Sequence, residues 1–180
     1  VTLQGEAFFE VQKDPEHGFV ISTPHETKIE VLGTSFNVEA FEEDDFVSTT
    51  LIEGKVRFNY MKNRRVIAVP MKPGQKLTYD SSSSRIQLTE TNGESEIAWK
   101  DGKIVFQATL LPEALRMLEK RFNVAFVLSN DYLRSEAFTG SFSHQRLERI
   151  LEIFKISSNI KWRYLDTQDT MNEKTRIEIY

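Results

Sequence analysis

The chain repeats itself. Phe106, Leu111, Leu115, Leu118, Asn123, Val124 and Phe126 recur 36 residues later as Phe142, Leu147, Leu151, Phe154, Asn159, Ile160 and Trp162. In each copy an amphipathic helical stripe lies between two strand-like runs, so the C-terminal region reads as a βαβ unit built twice. One such unit cannot stand alone. A buried stripe side chain contributes about 1.5–3 kcal/mol, while ordering the backbone costs about 1–2 kcal/mol per residue. The two copies must therefore share a core. Paired units of this size, after a β-rich region and without a catalytic constellation, point to a docking module that acts on a protein partner.

The helix of the first copy opens around Leu110-Leu111-Pro112, with proline in the first turn, where its missing N–H costs nothing. Leu111, Ala114, Leu115, Leu118 and Phe122 form its stripe, and Asn123 is a left-handed stop before a return strand over 124–128. The second copy has a strand over 137–142, Ser143 as expected N-cap with His144 at the helix start, and a stripe of Leu147, Ile150, Leu151 and Phe154. Asn159 ends it, residues 160–165 return, and a last strand alternates Ile177 and Ile179 with charged neighbours. Met117 and Ile153 are equivalent by the repeat and sit off the main stripe.

Before the repeat the dominant period is two. Ala7, Phe9 and Val11 alternate with polar neighbours, as do Ile29 and Val31, then Phe36, Val38 and Ala40, then Val56, Phe58 and Tyr60. A further strand runs through Val66 and Ala68, or through Ile67 and Val69 in the other phase. Gly5, Gly18, Gly33, Gly54 and Gly74, with Pro15, Pro24, Pro70 and Pro73, punctuate the pattern. The fold class expected is an all-β roll or sandwich-like domain over residues 1–97, followed by an α+β domain of two repeated βαβ units over 98–180. A faint similarity between Leu3–Phe9 and Leu51–Phe58 would suit repeated coils of a roll. Residues 88–97 are polar and turn-prone and form the boundary.

Chemistry is sparse. The net charge of −4 argues against nucleic-acid binding, which needs a basic face. There is no cysteine, hence no thiolate nucleophile, disulfide or zinc-thiolate site. The acidic run Phe41-Glu42-Glu43-Asp44-Asp45-Phe46 lacks calcium-loop spacing and reads as a solvated hairpin tip, as does Lys62-Asn63-Arg64-Arg65. His17, His25 and His144 match no ligand spacing, and Gly33-Thr34-Ser35 lacks the context of a phosphate loop or a nucleophile elbow. No catalytic residue, metal site or cofactor is expected. No run approaches the ~20 apolar residues that span a bilayer, and the chain, opening on Val1 without methionine, reads as a piece of a longer protein.

Gly5-Glu6-Ala7-Phe8-Phe9-Glu10-Val11, Val31-Leu32-Gly33-Thr34-Ser35-Phe36-Asn37-Val38, Leu51-Ile52-Glu53-Gly54-Lys55-Val56 and Lys72-Pro73-Gly74-Gln75 occur in that order. Together they resemble the FecR family of transmembrane anti-sigma regulators. The duplicated region, with its Phe138-Thr139-Gly140-Ser141-Phe142, is similar to the C-terminal domain of Bacteroidetes-type members and to the short signalling domain of secretins and TonB-dependent receptors. The resemblance implies the periplasmic region of a single-pass inner-membrane protein, its membrane span and cytoplasmic anti-sigma segment lying outside this chain. It also implies two partners: the signalling domain of a TonB-dependent outer-membrane transporter, and an extracytoplasmic-function sigma factor reached through the cytoplasmic segment.

Small βαβ units leave strand edges that accept a strand from another chain. The residues expected to bind the partner are Phe126 and Trp162 on the return strands, Lys161 and Arg163 beside Trp162, and Met117 and Ile153 on the helices. The alternative reading is a carbohydrate- or ligand-binding β domain with an appended dimerisation or assembly module, which an aromatic platform of Phe8, Phe41 and Phe46 would favour.

Overall fold

The structure, a computed structural model, describes residues 1–14, 16–165 and 174–180. Pro15, one of the turn-marking prolines, lies outside them. The chain divides into two compact units, Val1–Lys100 and Asp101–Tyr180. It is an all-β part followed by an α+β part.

The N-terminal unit contains β1 (Gly5–Val11), β2 (Phe19–Thr23), β3 (Thr27–Val31), β4 (Thr34–Ala40), β5 (Phe46–Glu53), β6 (Val56–Lys62), β7 (Arg65–Met71), β8 (Gln75–Asp80) and β9 (Arg85–Glu90). They form a five-stranded sheet, β1-β4-β5-β8-β9, and a four-stranded sheet, β2-β3-β6-β7. Every strand pair is antiparallel. Inward residues of both sheets, among them Ile21, Ile29, Phe36, Val38, Leu51, Phe58 and Leu77, make one core. This is the sandwich form of the expectation rather than a stack of coils, and the two similar segments around Gly5 and Gly54 enter different sheets. In β7 it is the Ile67–Val69–Met71 phase that shares rows with Tyr60, Phe58 and Val56.

Successive hairpins alternate between the two sheets, and a glycine marks the crossings. Gly33 lies between β3 and β4, Gly54 between β5 and β6, and Gly74 between β7 and β8, at φ 131°, 95° and 80°. At the first two, space matters as much as torsion. A Cβ on Gly54 would lie 2.5 Å from the Gly33 carbonyl oxygen, and one on Gly33 would lie 2.6 Å from the Lys13 Cα. Thr34 Oγ1 donates to the Lys55 carbonyl at 2.9 Å and accepts from the Lys55 N–H at 3.4 Å. The two crossings are thus pressed together and stitched by one hydroxyl.

The acidic run is the β4–β5 turn. The basic run is the β6–β7 turn, with Asn63 and Arg64 both at positive φ as a two-residue hairpin requires. The polar stretch after β9 is not a plain linker: α1 (Glu94–Ile97) and a 3-10 turn (Ala98–Asp101) form there. Glu96 accepts from Thr91 Oγ1 at 3.0 Å and lies 3.4 Å from Lys76 Nζ, and Trp99 Nε1 donates to Asn37 Oδ1 at 3.2 Å.

The C-terminal unit contains β10 (Lys103–Leu110), α2 (Leu111–Phe122), β11 (Val124–Leu128), a 3-10 turn (Asp131–Ser135), β12 (Ala137–Ser143), α3 (Leu147–Ser158), β13 (Trp162–Tyr164) and β14 (Thr175–Ile179). The strands of one repeat copy do not pair with each other. The leading strands β10 and β12 form one antiparallel sheet, and the return strands join the other, in the order β11-β14-β13. In the first sheet Ile104 faces Phe142, Phe106 faces Gly140, and Val105 faces Ser141, its own counterpart in the repeat. A pseudo-two-fold axis therefore passes between Val105 and Ser141.

Both helices and both sheets feed one core of Phe106, Leu111, Leu115, Leu118, Phe138, Leu147, Leu151, Phe154, Ile177 and Ile179. Asn123 and Asn159 end the helices in the left-handed region, each at φ 53°. The α3 N-terminus differs from expectation. Ser143 remains in β12, His144 turns the chain at φ 62°, and Arg146 is the capping position, equivalent by the repeat to Leu110 of α2.

Two results test this architecture. Leu118→Ala and Leu151→Ala, each at a fully buried site, should lower the unfolding free energy by about 2–5 kcal/mol in urea titrations. Ile156→Ala, at a site 79% exposed, should move it by no more than about 0.5 kcal/mol. Gly54→Ala should lose more than the roughly 1–3 kcal/mol of backbone strain alone. Gly74→Ala should lose only that strain, because its added Cβ meets nothing nearer than the Thr91 carbonyl oxygen at 3.5 Å.

Candidate docking surface

Five of the six residues expected to bind a partner belong to, or adjoin, the three-stranded sheet and α3; Met117 stands on α2. The sheet is built around β14. Its Ile177 and Ile179 face the core, and it runs parallel to β11 and antiparallel to β13. Backbone bonds between Lys161 and Tyr180, in both directions at 2.9 and 3.0 Å, and from Leu165 N–H to Arg176 O at 2.9 Å set the β13 register. Alternation then turns the backbone groups of Trp162 and Tyr164 away from β14, toward the outer edge.

The side chains of β13 are fixed on both faces. On the helix face, Trp162 Nε1 donates to Glu152 Oε1 at 3.2 Å and the Tyr164 hydroxyl to Glu148 Oε1 at 2.7 Å. The two rings meet edge to face at 5.7 Å. Glu148 and Glu152 are one turn apart on α3, so the spacing of the helix matches the two-residue spacing of the strand. On the other face, Arg163 Nε donates to Glu178 Oε2 at 2.6 Å and its guanidinium lies over the Tyr180 ring. Lys161 is exposed, and no acid pairs with it among the described residues.

Hydrogen bonding tunes the acids. The Tyr164 hydroxyl holds the Glu148 carboxyl below its ordinary value, and the same bond raises the Tyr164 phenol. The Ser129 hydroxyl, then Arg163, hold the Glu178 carboxyl low. Phe126 is half-buried against the core. Its N–H, on the outer edge of β11, donates to Glu119 Oε1 at 2.6 Å. Met117 is half-buried and packs on the core, and Ile153 is half-buried on α3. Sequence reasoning missed Glu119, Glu148 and Glu152. The signal for the last two was their i, i+4 spacing beside an aromatic strand.

Elsewhere, the N-terminal unit carries a groove of about 800 Å³. Val20, Glu30, Arg57 and Pro70, neighbours in one row across the four-stranded sheet, line it together with Lys13, Leu32 and Lys55. Glu30 and Arg57 pair there at 3.7 Å. The aromatics expected as a platform are occupied in part: the Lys100 ammonium sits 3.6 Å from the Phe8 ring centre. Among the described residues, no cluster of histidine and carboxylate side chains could hold a metal, and no helix is long and apolar enough to cross a membrane.

Two family models match this chain: "FecR protein" over residues 1–57 and "FecR, C-terminal" over 103–171. The chain belongs to the FecR family. Two crystal structures of a candidate anti-sigma factor from Parabacteroides distasonis, at 1.65 and 2.50 Å resolution, are similar to it. Both are 26% identical over 99% of this chain and 78% of theirs, with TM-scores of 0.78 and 0.76. No curated protein matches. This is thus a chain of an anti-sigma regulator of the FecR family. Three of the four FecR-like motifs, those around Gly33, Gly54 and Gly74, coincide with the sheet crossings, so their residues serve the fold of the β unit.

The Tyr164–Glu148 bond has a pH signature. Because the Glu148 carboxyl is depressed in the folded state, its stabilisation is present above the unfolded-state value and is lost as pH falls through the folded one. In Tyr164→Phe, carbon-13 titration should show the Glu148 midpoint moved up. The stability deficit of that variant should be present at neutral pH and vanish in acid.

Proposed function

We propose that this chain is the periplasmic sensor region of a single-pass FecR-type regulator. Its C-terminal unit docks the signalling domain of a TonB-dependent outer-membrane transporter. The event is relayed through a membrane span and a cytoplasmic segment to an extracytoplasmic-function sigma factor. The observation that carries this reading is the three-stranded sheet, whose β13 edge holds its side chains in place and turns backbone hydrogen-bonding groups outward. An edge of that kind recognises an extended segment of another protein. Specificity then comes from the side chains on either face, Trp162 and Tyr164 on one, Lys161 and Arg163 on the other.

A second reading has one observation in its favour. The groove on the four-stranded sheet has the volume of a small-molecule site, which suits a ligand-binding β unit with an assembly module behind it.

Titrating isotopically labelled protein with the signalling domain of the transporter encoded beside it separates the two. Amide shifts clustered within residues 101–180 are expected. No shift at high partner concentration would reject the transporter reading. Shifts confined to Val20, Leu32 and Arg57 on addition of a glycan panel would favour the ligand reading.

A further inference from the structure

The repeat makes the two outer edges of the three-stranded sheet equivalent, yet the structure treats them differently. Phe126 of β11 corresponds to Trp162 of β13, and Leu128 to Tyr164. In both strands it is these positions whose backbone groups face away from β14. On β11 the exposed donor is consumed, because Glu119 of α2 reaches across and accepts the Phe126 N–H at 2.6 Å. The residue equivalent to Glu119 in the second copy is Lys155. An ammonium has no acceptor to offer an N–H, and Lys155 instead pairs with Glu152 at 3.3 Å. Glu152 itself is held by the indole N–H of Trp162. Nothing among the described residues takes the Trp162 backbone N–H.

We infer that β13 is the docking edge, that Glu119 closes β11 against the same use, and that the occupant is an acidic extended segment of a partner protein. The inference rests on the docking reading above and names its edge. Charge selects the occupant. The acids around β13 are engaged internally, Glu148 by Tyr164, Glu152 by Trp162 and Lys155, and Glu178 by Ser129 and Arg163. Lys155 and Arg163 are neutralised in those pairs, so the charge left for an incoming strand to meet is that of Lys161, which is exposed and has no acid partner among the described residues. A second copy of this chain fits poorly. Antiparallel pairing of two β13 edges through Trp162 and Tyr164 would set Arg163 opposite Arg163, and like charges directly opposite destabilise a sheet.

The test uses the full chain, isotopically labelled, and two probes: a ten-residue peptide of alternating valine and glutamate, and its valine–lysine counterpart. The acidic peptide should shift the Trp162 and Tyr164 amides and leave residues 124–128 unmoved, while the basic peptide should shift neither. Lys155→Glu, which rebuilds the closing device of the first copy, should slow hydrogen exchange at Trp162 and weaken peptide binding at least tenfold. Glu119→Gln should speed exchange at Phe126. Shifts elsewhere, no shift at millimolar peptide, or unchanged binding in Lys155→Glu would overturn the assignment. The transporter domain gives the separate arm. If it binds away from Trp162, the edge is wrong and the docking reading survives. If the peptide binds at Trp162 and the domain does not bind, the edge stands and the transporter is rejected.

Discussion

The C-terminal unit depends on one strand that is not part of its repeat. The return strands β11 and β13 run antiparallel to each other on opposite sides of β14, so the local two-fold relation passes through β14 itself. Without it, each return strand would present backbone groups on two edges, and the core would lose Ile177 and Ile179, both fully buried. A single strand cannot obey two-fold symmetry. β14 must be parallel to one neighbour and antiparallel to the other, yet it leaves equivalent positions of β11 and β13 facing outward. The difference between the two outer edges therefore comes from the helices, where Glu119 of α2 is replaced by Lys155 of α3.

The N-terminal unit meets a different constraint. Its chain changes sheets after every hairpin, and the changes from β3 to β4 and from β5 to β6 each occur within two residues at the rim of the sandwich. Only a backbone without Cβ passes where Gly33 and Gly54 touch, and Thr34 ties the two passes by using one hydroxyl as donor and acceptor toward Lys55. The motifs that mark the family in this half are therefore geometric. They say where the chain turns, and they leave the binding chemistry to the strand faces and to the second unit.

How much of this was legible follows from which forces are local. The helical stripes, the left-handed stops at Asn123 and Asn159 and the alternation of Phe36, Val38 and Ala40 are written in short windows, and the structure holds them. Strand partners are not local, and nothing in residues 103–110 says that they pair with 137–143 rather than with 124–128. Helix α1 was hidden for the same reason, since Glu96 is held by Thr91 and by Lys76 of a different strand. At α3 the repeat was the better guide than capping propensity. Ser143 is a good cap by type, but counting 36 residues from Leu110 gives Arg146, the position the structure uses. The side chains of β13 were legible as aromatics and cations, but not the carboxylates that hold them.

Duplication explains how an open edge can be kept without inviting aggregation. Two equal edges would each accept any passing strand, and a chain with both would polymerise edge to edge. Closing one with a carboxylate leaves a single acceptor, and placing Arg163 at the centre of the other sets like charges against each other when two copies approach. The exchange of Glu119 for Lys155 between the two copies does the first of these: glutamate stops one edge, and lysine, which has no acceptor to offer, leaves the other open. A substitution that kept the fold but restored symmetry at these two positions would thus alter what the sheet binds before it altered whether the sheet forms.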